Sequence, residues 1–418
     1  IVAGIVYIKV ADSRLALGYI AQNFYGNPSR KLKLVGVTGT NGKTTTATLL
    51  FEIFRFLGYK TALLSTVANR IDGQIFPTTH TTLTPVSLAA FLAQVAEAGV
   101  EYAFMECSSH GIEEERIAGL HFSGGIFTNL TQDHLDFHGT LEKYVEAKKK
   151  FFDRLPNTAF ALTNMDDSKG QYMLSNTHAQ KYFYSIDTLD HTNSADKKAD
   201  FVGAGLISAL EGSSFEINGK PVKTKLIGKF NAYNTLAVYA AAVLLGVSEE
   251  KLISLLIDLD PPSGRLQFIK SKDGIYGIVD YAHTPDAVEN VLKSLSEVKS
   301  PQTKLITVMG CGGDRDKTKR PIMGEIGARL SDYVIFTSDN PRTENPEAIL
   351  KDIEAGLPSE ATNHESVVNR AEAIERGAKM ANPGDIVIIA GKGHEDYQIF
   401  ADKTIHFSDM EELKKYLV

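Results

Sequence analysis

The sequence predicts an α/β protein built on a mostly parallel sheet, and three observations lead to that prediction. Short β-rich runs alternate with amphipathic helical runs over most of the chain. A Gly-rich turn joins one such strand, Lys33 to Val37, to its helix. The same strand-then-helix rhythm resumes after the stiff connection Pro261-Pro262-Ser263-Gly264.

In chain order, Ile1 to Val10 is an apolar, strand-like run with neither an initiator Met nor a signal-peptide pattern, so a segment is expected to be missing before it. Lys33 to Val37 is a strand, and Leu49, Leu50, Ile53, Phe54 and Leu57 share one face of the helix that follows. Thr61 to Val67 is the next strand, completing a βαβ unit. Pro85 marks the entry to a helix over Leu88 to Ala98, and Tyr102 to Met105 is a buried strand. From about Ser185 to Lys225 the texture turns polar, and Ser214 to Ile217 with the turn Asn218-Gly219 predicts an antiparallel hairpin. Asn231 to Leu245 is an Ala-rich helix. Beyond residue 262, Tyr276 to Val279, Leu305 to Met309, Tyr333 to Thr337 and Ile386 to Ile389 are strands of a dinucleotide-fold (Rossmann-like) domain.

Composition narrows the function. The chain has 418 residues, 43% apolar and 23% charged, which excludes disorder, collagen and a lone small module. A net charge of -7 provides no positive field for nucleic acid or an anionic bilayer. The longest apolar stretch, near Ala237 to Val247, is far short of the roughly 20 residues that cross a membrane and reads as a buried helix. Two cysteines, Cys107 and Cys311, make neither a disulfide framework nor a metal cluster, which fits the cytoplasm.

The run Gly36-Val37-Thr38-Gly39-Thr40-Asn41-Gly42-Lys43-Thr44-Thr45 lies between a strand and a helix, where backbone N–H groups and the positive helix end cradle phosphates. Lys43 would reach the terminal phosphates and Thr44 would bind Mg²⁺. The match is the shorter G-x-x-G-K-T beginning at Gly39, because Val37 stands in the first position of the longer pattern.

This core resembles the Mur ligase family, ATP-dependent enzymes that form amide bonds in peptidoglycan precursors, and further runs resemble its MurE branch. They are Met105-Glu106-Cys107-Ser108-Ser109-His110-Gly111, Phe127 to Gly139, Asp280-Tyr281-Ala282-His283, Asp339-Asn340-Pro341-Arg342 and Gly391-Lys392-Gly393-His394-Glu395. The resemblance implies a remnant of a uridine-binding domain (1–30), a central P-loop ATP-binding domain (31–262) and a C-terminal amino-acid-binding domain (263–418). Domain closure is expected, because the two sites fall on different domains.

Glu106 ends one predicted strand and His134 follows another, so both are expected at the edge of the sheet that bears the phosphate loop. Alone, Glu106 reads as a capping or paired carboxylate and His134 as a satisfied edge residue. The resemblance implies that both bind Mg²⁺ with Thr44. A nucleophile reading of Cys107, Ser108 and His110 lacks a third orienting group. Lys148 belongs to Lys148-Lys149-Lys150, which alone reads as a solvated helix face. The resemblance implies a carbamylated lysine that helps hold metal and substrate.

By the same resemblance Thr81, Thr82, Ser108 and Arg116 hold UDP-MurNAc-L-Ala-D-Glu, although Leu83 replaces the usual Pro. Gly39 to Thr45, Asn231, Asn234, Arg265, Asp280 and His283 serve ATP. Helix capping is the plain alternative for one Asn and for His283. Gln267, where relatives carry Glu, receives no role. Asp339, Asn340, Pro341 and Arg342 alone read as a turn; the resemblance makes them a pocket for meso-diaminopimelate. There a guanidinium grips the second carboxylate and repels lysine's terminal ammonium. Arg315 would clamp the carboxylate at the reacting end, with Gly391 and Glu395 at the distal ammonium.

The expected reaction is ATP-dependent ligation through an acyl phosphate by a cytoplasmic monomer. Lysine addition, or another ligase of the superfamily such as folylpolyglutamate synthetase, is the rival within the enzyme class. A nucleotide switch is the rival outside it, and no N-K-x-D guanine-recognition run supports that.

Overall fold

The computed structural model describes residues 4, 6–78, 80–186 and 198–418. The chain divides into two compact units, Ile1–Val202 with Tyr233–Leu255, and Gly203–Ala232 with Leu256–Val418.

In the first unit, six parallel strands run in the order Gln180–Ile186, Phe160–Asn164, Gly124–Phe127, Lys33–Thr38, Tyr102–Glu106 and Thr61–Leu64. The short antiparallel strands Asn69–Ile71 and Gln74–Phe76 extend the far edge. Five of the six residues of Lys33–Thr38 are buried, as expected of a strand covered on both faces. The helix Lys43–Phe56 buries Leu49, Leu50, Ile53 and Phe54, the spacing that predicted it. Because Lys33–Thr38 lies between strands reached by chain excursions in both directions, the C-terminal edge beside it is a topological switch point. Among the described residues no helix is long and apolar enough to cross a membrane.

Two sequence expectations need correction. Val6 to Val10 form no strand: Val6 is 86% and Ile8 76% exposed. Ile1 to Ala3 and Ile5 lie outside the described residues. The helix Ser13–Phe24 follows, capped by the Asp12 carboxylate on the N–H groups of Arg14 and Leu15. The strand expected over Thr61 to Val67 ends at Leu64. Ser65 and Ala68 close a small turn, and the N–H of Thr66 is diverted from the sheet to the Glu106 carboxylate, 2.8 Å away.

In the second unit the sheet order is Gln267–Lys270, Tyr276–Asp280, Ile386–Ala390, Leu305–Met309, Tyr333–Thr337 and His364–Val367; only the first pair is antiparallel. Alternate strand residues face opposite layers. Ile278, Met309, Phe336 and Ile388 join the core under Pro285–Val298, Lys319–Leu330 and Pro346–Glu354. Val279, Val308, Ile335 and Ile389 join the core under Arg370–Met380 and Asp409–Leu417. The antiparallel strands Phe201–Ala209, Gly212–Ile217 and Lys220–Thr224 include the expected hairpin. Its turn residues Asn218 and Gly219 both have positive φ, 49° and 78°, as a tight two-residue hairpin turn requires. Residues 187–197, within the polar stretch read as the start of this region, lie outside the described residues. Gly203–Ala232 groups with the C-terminal unit, whereas the sequence reading drew it into 31–262. The tip explains this grouping: Leu210 packs on the C-terminal core and Glu211 accepts a hydrogen bond from Tyr276.

Arg370 and Asp409, both fully buried, clamp the two helices of one layer by paired hydrogen bonds of 2.7 and 2.8 Å. Removing the anion strands a buried guanidinium. Asp409→Ala is therefore expected to lower stability by about 3 to 5 kcal/mol, read as a lower urea midpoint by circular dichroism. A loss under about 1 kcal/mol would show that water reaches Arg370.

Candidate active site

The loop after Lys33–Thr38 is shaped by close approach. Gly39 has φ 152° and Gly42 φ 85°. A Cβ on the first would collide with Thr128 Oγ1, and on the second with Asn234 Oδ1. The neighbouring strand end clamps the turn. Asn41 N–H donates to Asn129 Oδ1 at 2.9 Å, Thr128 Oγ1 and Asn129 Nδ2 donate to the Asn41 carbonyl at 2.6 and 3.1 Å, and Thr40 N–H donates to the Asn129 carbonyl at 2.9 Å. Thr44 and Thr45 are buried in the first turn of the helix. Lys43 Nζ folds back on its own loop, donating to the carbonyls of Gly39 at 3.0 Å and Thr40 at 2.8 Å.

Lys148 converges on the same place. Its helix, Leu141–Asp153, buries Lys148 and Lys149 at 1% and 2% exposure, so the solvated-face reading of the lysine run fails. Lys149 pairs with Asp153 and Lys150 with Glu113. Lys148 instead donates to the Gly39 carbonyl at 2.8 Å and lies 4.5 Å from the centre of the Tyr144 ring, with no carboxylate among the described residues in an ion pair with it. Burial, then the charge of Lys43, hold its pKa well below the ordinary lysine value. Tyr144, one helical turn earlier, bonds Thr40 Oγ1 at 3.0 Å and so ties this helix to the phosphate loop.

His134 has φ 54° and begins the short helix Leu135–His138. Its ring is 4.7 Å from that of His110. Partial burial, then the charges of His110, Lys43 and Lys148, outweigh Asp133 and lower its pKa to about 4, so the imidazole is neutral at physiological pH. Glu106 is fully buried at the end of its strand and accepts from Thr66 N–H at 2.8 Å and Thr66 Oγ1 at 3.2 Å. Among the described residues no group of three or more His, Cys, Asp or Glu side chains is arranged to hold a metal ion. The oxygen donors of Thr44 and Glu106 are of the type a hard divalent cation such as Mg²⁺ takes.

A hydrogen-bonded path joins Glu106 to Thr81, Thr82, Ser108 and Arg116. Thr66 Oγ1 and Thr81 Oγ1 share a hydrogen bond of 3.0 Å. Thr82 Oγ1 donates to the Glu106 carbonyl, accepts from Ser108 N–H, and meets Ser108 Oγ at 3.1 Å. Arg116 donates to the Thr82 carbonyl at 2.8 Å and pairs with Glu114. Leu83 packs against the hydrophobic core. Ser108 caps the helix Ser109–Glu113, and burial raises the Cys107 thiol pKa, which disfavours its thiolate.

In the second unit, Asp280 is buried and accepts from the N–H groups of Leu266 and Ala282, both at 2.7 Å. Burial raises its pKa against the pull of Arg265, whose guanidinium stacks 4.5 Å from the Tyr281 ring centre. His283 donates from Nδ1 to the Tyr281 carbonyl at 2.7 Å, and Thr284, not His283, caps the helix Pro285–Val298. Asn231 Nδ2 donates to the Ile227 carbonyl at 3.0 Å, so that side chain secures the preceding loop.

The loops Asp339–Arg342 and Gly391–Glu395 interlock. Asn340 Nδ2 donates to Glu395 Oε2 at 2.9 Å, and Asn340 Oδ1 accepts from Ile399 N–H and from Lys392 Nζ. Glu395 is thus bonded within the unit, and burial followed by the Asp339 charge raises its pKa. Arg342 has φ 52° and donates to the Gly313 carbonyl at 2.7 Å. Arg315 is exposed and donates to the Asp314 carbonyl. Pro341 is buried beside Gly313. Lys392, Tyr144 and Thr66 went unread in the sequence. The position of Tyr144 four residues before Lys148 was an available signal, whereas a lysine between two glycines gave none.

Two family models match the chain, the Mur ligase middle domain over residues 37–242 and the Mur ligase glutamate ligase domain over 264–393. A UDP-N-acetylmuramoyl-L-alanyl-D-glutamate–2,6-diaminopimelate ligase of Parabacteroides distasonis is 52% identical over 98% of this chain and 82% of its own. A protein of the same name from Bacteroides thetaiotaomicron is 51% identical over 99% of this chain and 84% of its own. A solved structure of a ligase of that name superimposes with a TM-score of 0.69 at 34% identity, covering 99% of this chain and 85% of that one. With the phosphate loop, the buried Lys148 and the interlocked C-terminal loops in place, these matches establish that the chain belongs to the Mur ligase family.

Proposed function

We propose that the protein is an ATP-dependent, ADP-forming amide ligase that adds meso-diaminopimelate to UDP-MurNAc-L-Ala-D-Glu in the cytoplasm. The observation that carries this reading is the 52% identity, over nearly the whole chain, to a relative named for that ligation. The loop geometry supports it.

The γ-phosphoryl group of ATP moves to the D-Glu side-chain carboxylate: the new O–P bond forms as the bond to the ADP oxygen breaks. The amine of diaminopimelate attacks the resulting acyl carbon, and the tetrahedral intermediate loses phosphate and a proton to leave the amide. Lys43 exchanges its two loop carbonyls for terminal phosphate oxygens, and the N–H groups of Gly39 to Thr45 cradle the chain of phosphates. Asn234, packed on Gly42, holds the loop from behind. In the second unit Asn231, Arg265 and His283 keep a proposed role toward ATP, with Asp280 fixing the turn that carries Arg265. Mg²⁺ would be held by Thr44, Glu106, neutral His134 and carbamylated Lys148, and would neutralise phosphate charge. Thr81, Thr82, Ser108, Arg116 and Lys148 would receive the UDP-dipeptide.

Burial and the charge of Lys43 support carbamylation of Lys148. Its lowered pKa increases the neutral amine, which attacks CO₂; a proton leaves, and the cation becomes an anion beside Lys43. Lys148→Ala is expected to lose about a hundredfold or more in kcat, with partial recovery on adding formate or acetate. Full activity without added acid would remove Lys148 from the reaction.

Arg342 is assigned the distal carboxylate of diaminopimelate, and Arg315 the carboxylate at the reacting end. Since φ at Arg342 is 52°, glycine removes the guanidinium without straining the backbone. Leaving a bound carboxylate unpaired typically costs about 2 to 5 kcal/mol. Arg342→Gly should therefore lose well over tenfold in kcat/KM for meso-diaminopimelate, while ATP affinity changes little, because about 1.4 kcal/mol is a factor of ten. Equal weakening of ATP and amino acid would make Arg342 a purely structural residue.

A further inference from the structure

We infer that Lys392 is a positioning and specificity-determining residue of the amino-acid pocket. Its ammonium ties the Asp339–Arg342 loop to Glu395 and limits the buried cluster to a single excess negative charge. This rests on the reading of those two loops as the pocket for the incoming amino acid.

Lys392 lies between Gly391 (φ 122°) and Gly393 (φ 56°), a backbone path that turns the chain sharply and directs the lysine inward. The residue is 0% exposed. Its Nζ donates to Asn340 Oδ1 at 3.0 Å and Glu395 Oε2 at 3.2 Å, and stands 3.6 Å from Asp339 Oδ1. Among the described residues Asp339 Oδ1 is buried without a hydrogen-bond partner. A buried carboxylate oxygen left in that state can still receive a donor from a ligand. Behind it stands Arg370, bonded to Asp409 and near enough to Asp339 and Glu395 for the charges to interact. Among these five groups the carboxylates Asp339, Glu395 and Asp409 outnumber the cations Arg370 and Lys392 by one.

That balance suits a ligand end carrying both an ammonium and a carboxylate, with the ammonium offsetting the excess charge and Arg342 taking the carboxylate. Without Lys392 the cluster would carry two excess negative charges, Asn340 Oδ1 would lose one of its two donors, and Glu395 would lose its cation. A zwitterionic end, of net charge zero, would then lose its advantage over the singly cationic end of lysine.

The test is steady-state ligation of meso-diaminopimelate and of L-lysine by wild type, Lys392→Met and Lys392→Arg at saturating UDP-dipeptide. Lys392→Met is expected to raise KM for diaminopimelate at least about tenfold and to narrow the preference over lysine by a similar factor, while KM for ATP stays within about twofold. Lys392→Arg, which keeps the charge, should recover most of the preference. A wild type that ligates diaminopimelate beside a Lys392→Met variant with unchanged KM and preference overturns the inference. So does a parallel rise in KM for ATP, or an Arg variant no better than Met. A wild type inactive with diaminopimelate overturns the reading of the pocket itself. If Lys392→Met fails to fold by circular dichroism, Glu395→Gln is compared with Lys392→Met/Glu395→Gln, in which one charge of each sign is removed. An equal preference in those two overturns the role of Lys392, and a narrower preference in the double variant supports it.

Discussion

Two lysine side chains converge on one backbone carbonyl. Lys43 reaches Gly39 O from within the phosphate loop and Lys148 reaches it from another helix. Much of the first unit is arranged around that convergence. Gly39 leaves no room for a side chain, Thr128 and Asn129 hold the loop from the adjoining strand end, and Tyr144 fixes the helix bearing Lys148 to Thr40. Two amines at one carbonyl repel, and burial worsens the repulsion, so the arrangement is relieved either by loss of a proton from Lys148 or by arrival of anions. Phosphates, and a carbamate on Lys148, are the anions the proposed chemistry supplies.

The two units each bring like charges together, of opposite sign in the two places. In the first, Lys43 and Lys148 share the Gly39 carbonyl. In the second, three carboxylates share two cations around Lys392. Buried charge is costly unless matched, so a partner of the opposite sign contributes strongly to binding at each place. This accounts for a chain of net charge -7 that handles a polyanionic nucleotide: the long-range field is unfavourable, and local geometry does the binding.

Much of the fold was legible because its signals are local. The period of the apolar residues in Lys43–Phe56, the Asn218-Gly219 turn and the buried strands Tyr102–Glu106 and Ile386–Ala390 each follow from a few neighbouring residues. Val6 to Val10 misled for the same reason, since β-propensity depends on the packing a segment meets, and Val6 and Ile8 are exposed. The site was legible in part. The Gly39 to Thr45 turn announces itself by glycine spacing, whereas Lys148, Lys149 and Lys150 are chemically identical and only packing decides which faces that turn. Lys392 and the left-handed backbone of Arg342 were likewise invisible, because both depend on segments some fifty residues away in sequence closing on each other.

The central claim is that the protein couples ATP cleavage to amide formation with a particular amine. Initial rates of inorganic phosphate release, measured with ATP, Mg²⁺ and UDP-MurNAc-L-Ala-D-Glu against a panel of amino acids, test it most directly. The account predicts release that requires the UDP-dipeptide and an amino acid together and is fastest with meso-diaminopimelate, with ADP and tripeptide formed in equal amounts. Release that ignores the amino acid, or a preference for lysine, would contradict it.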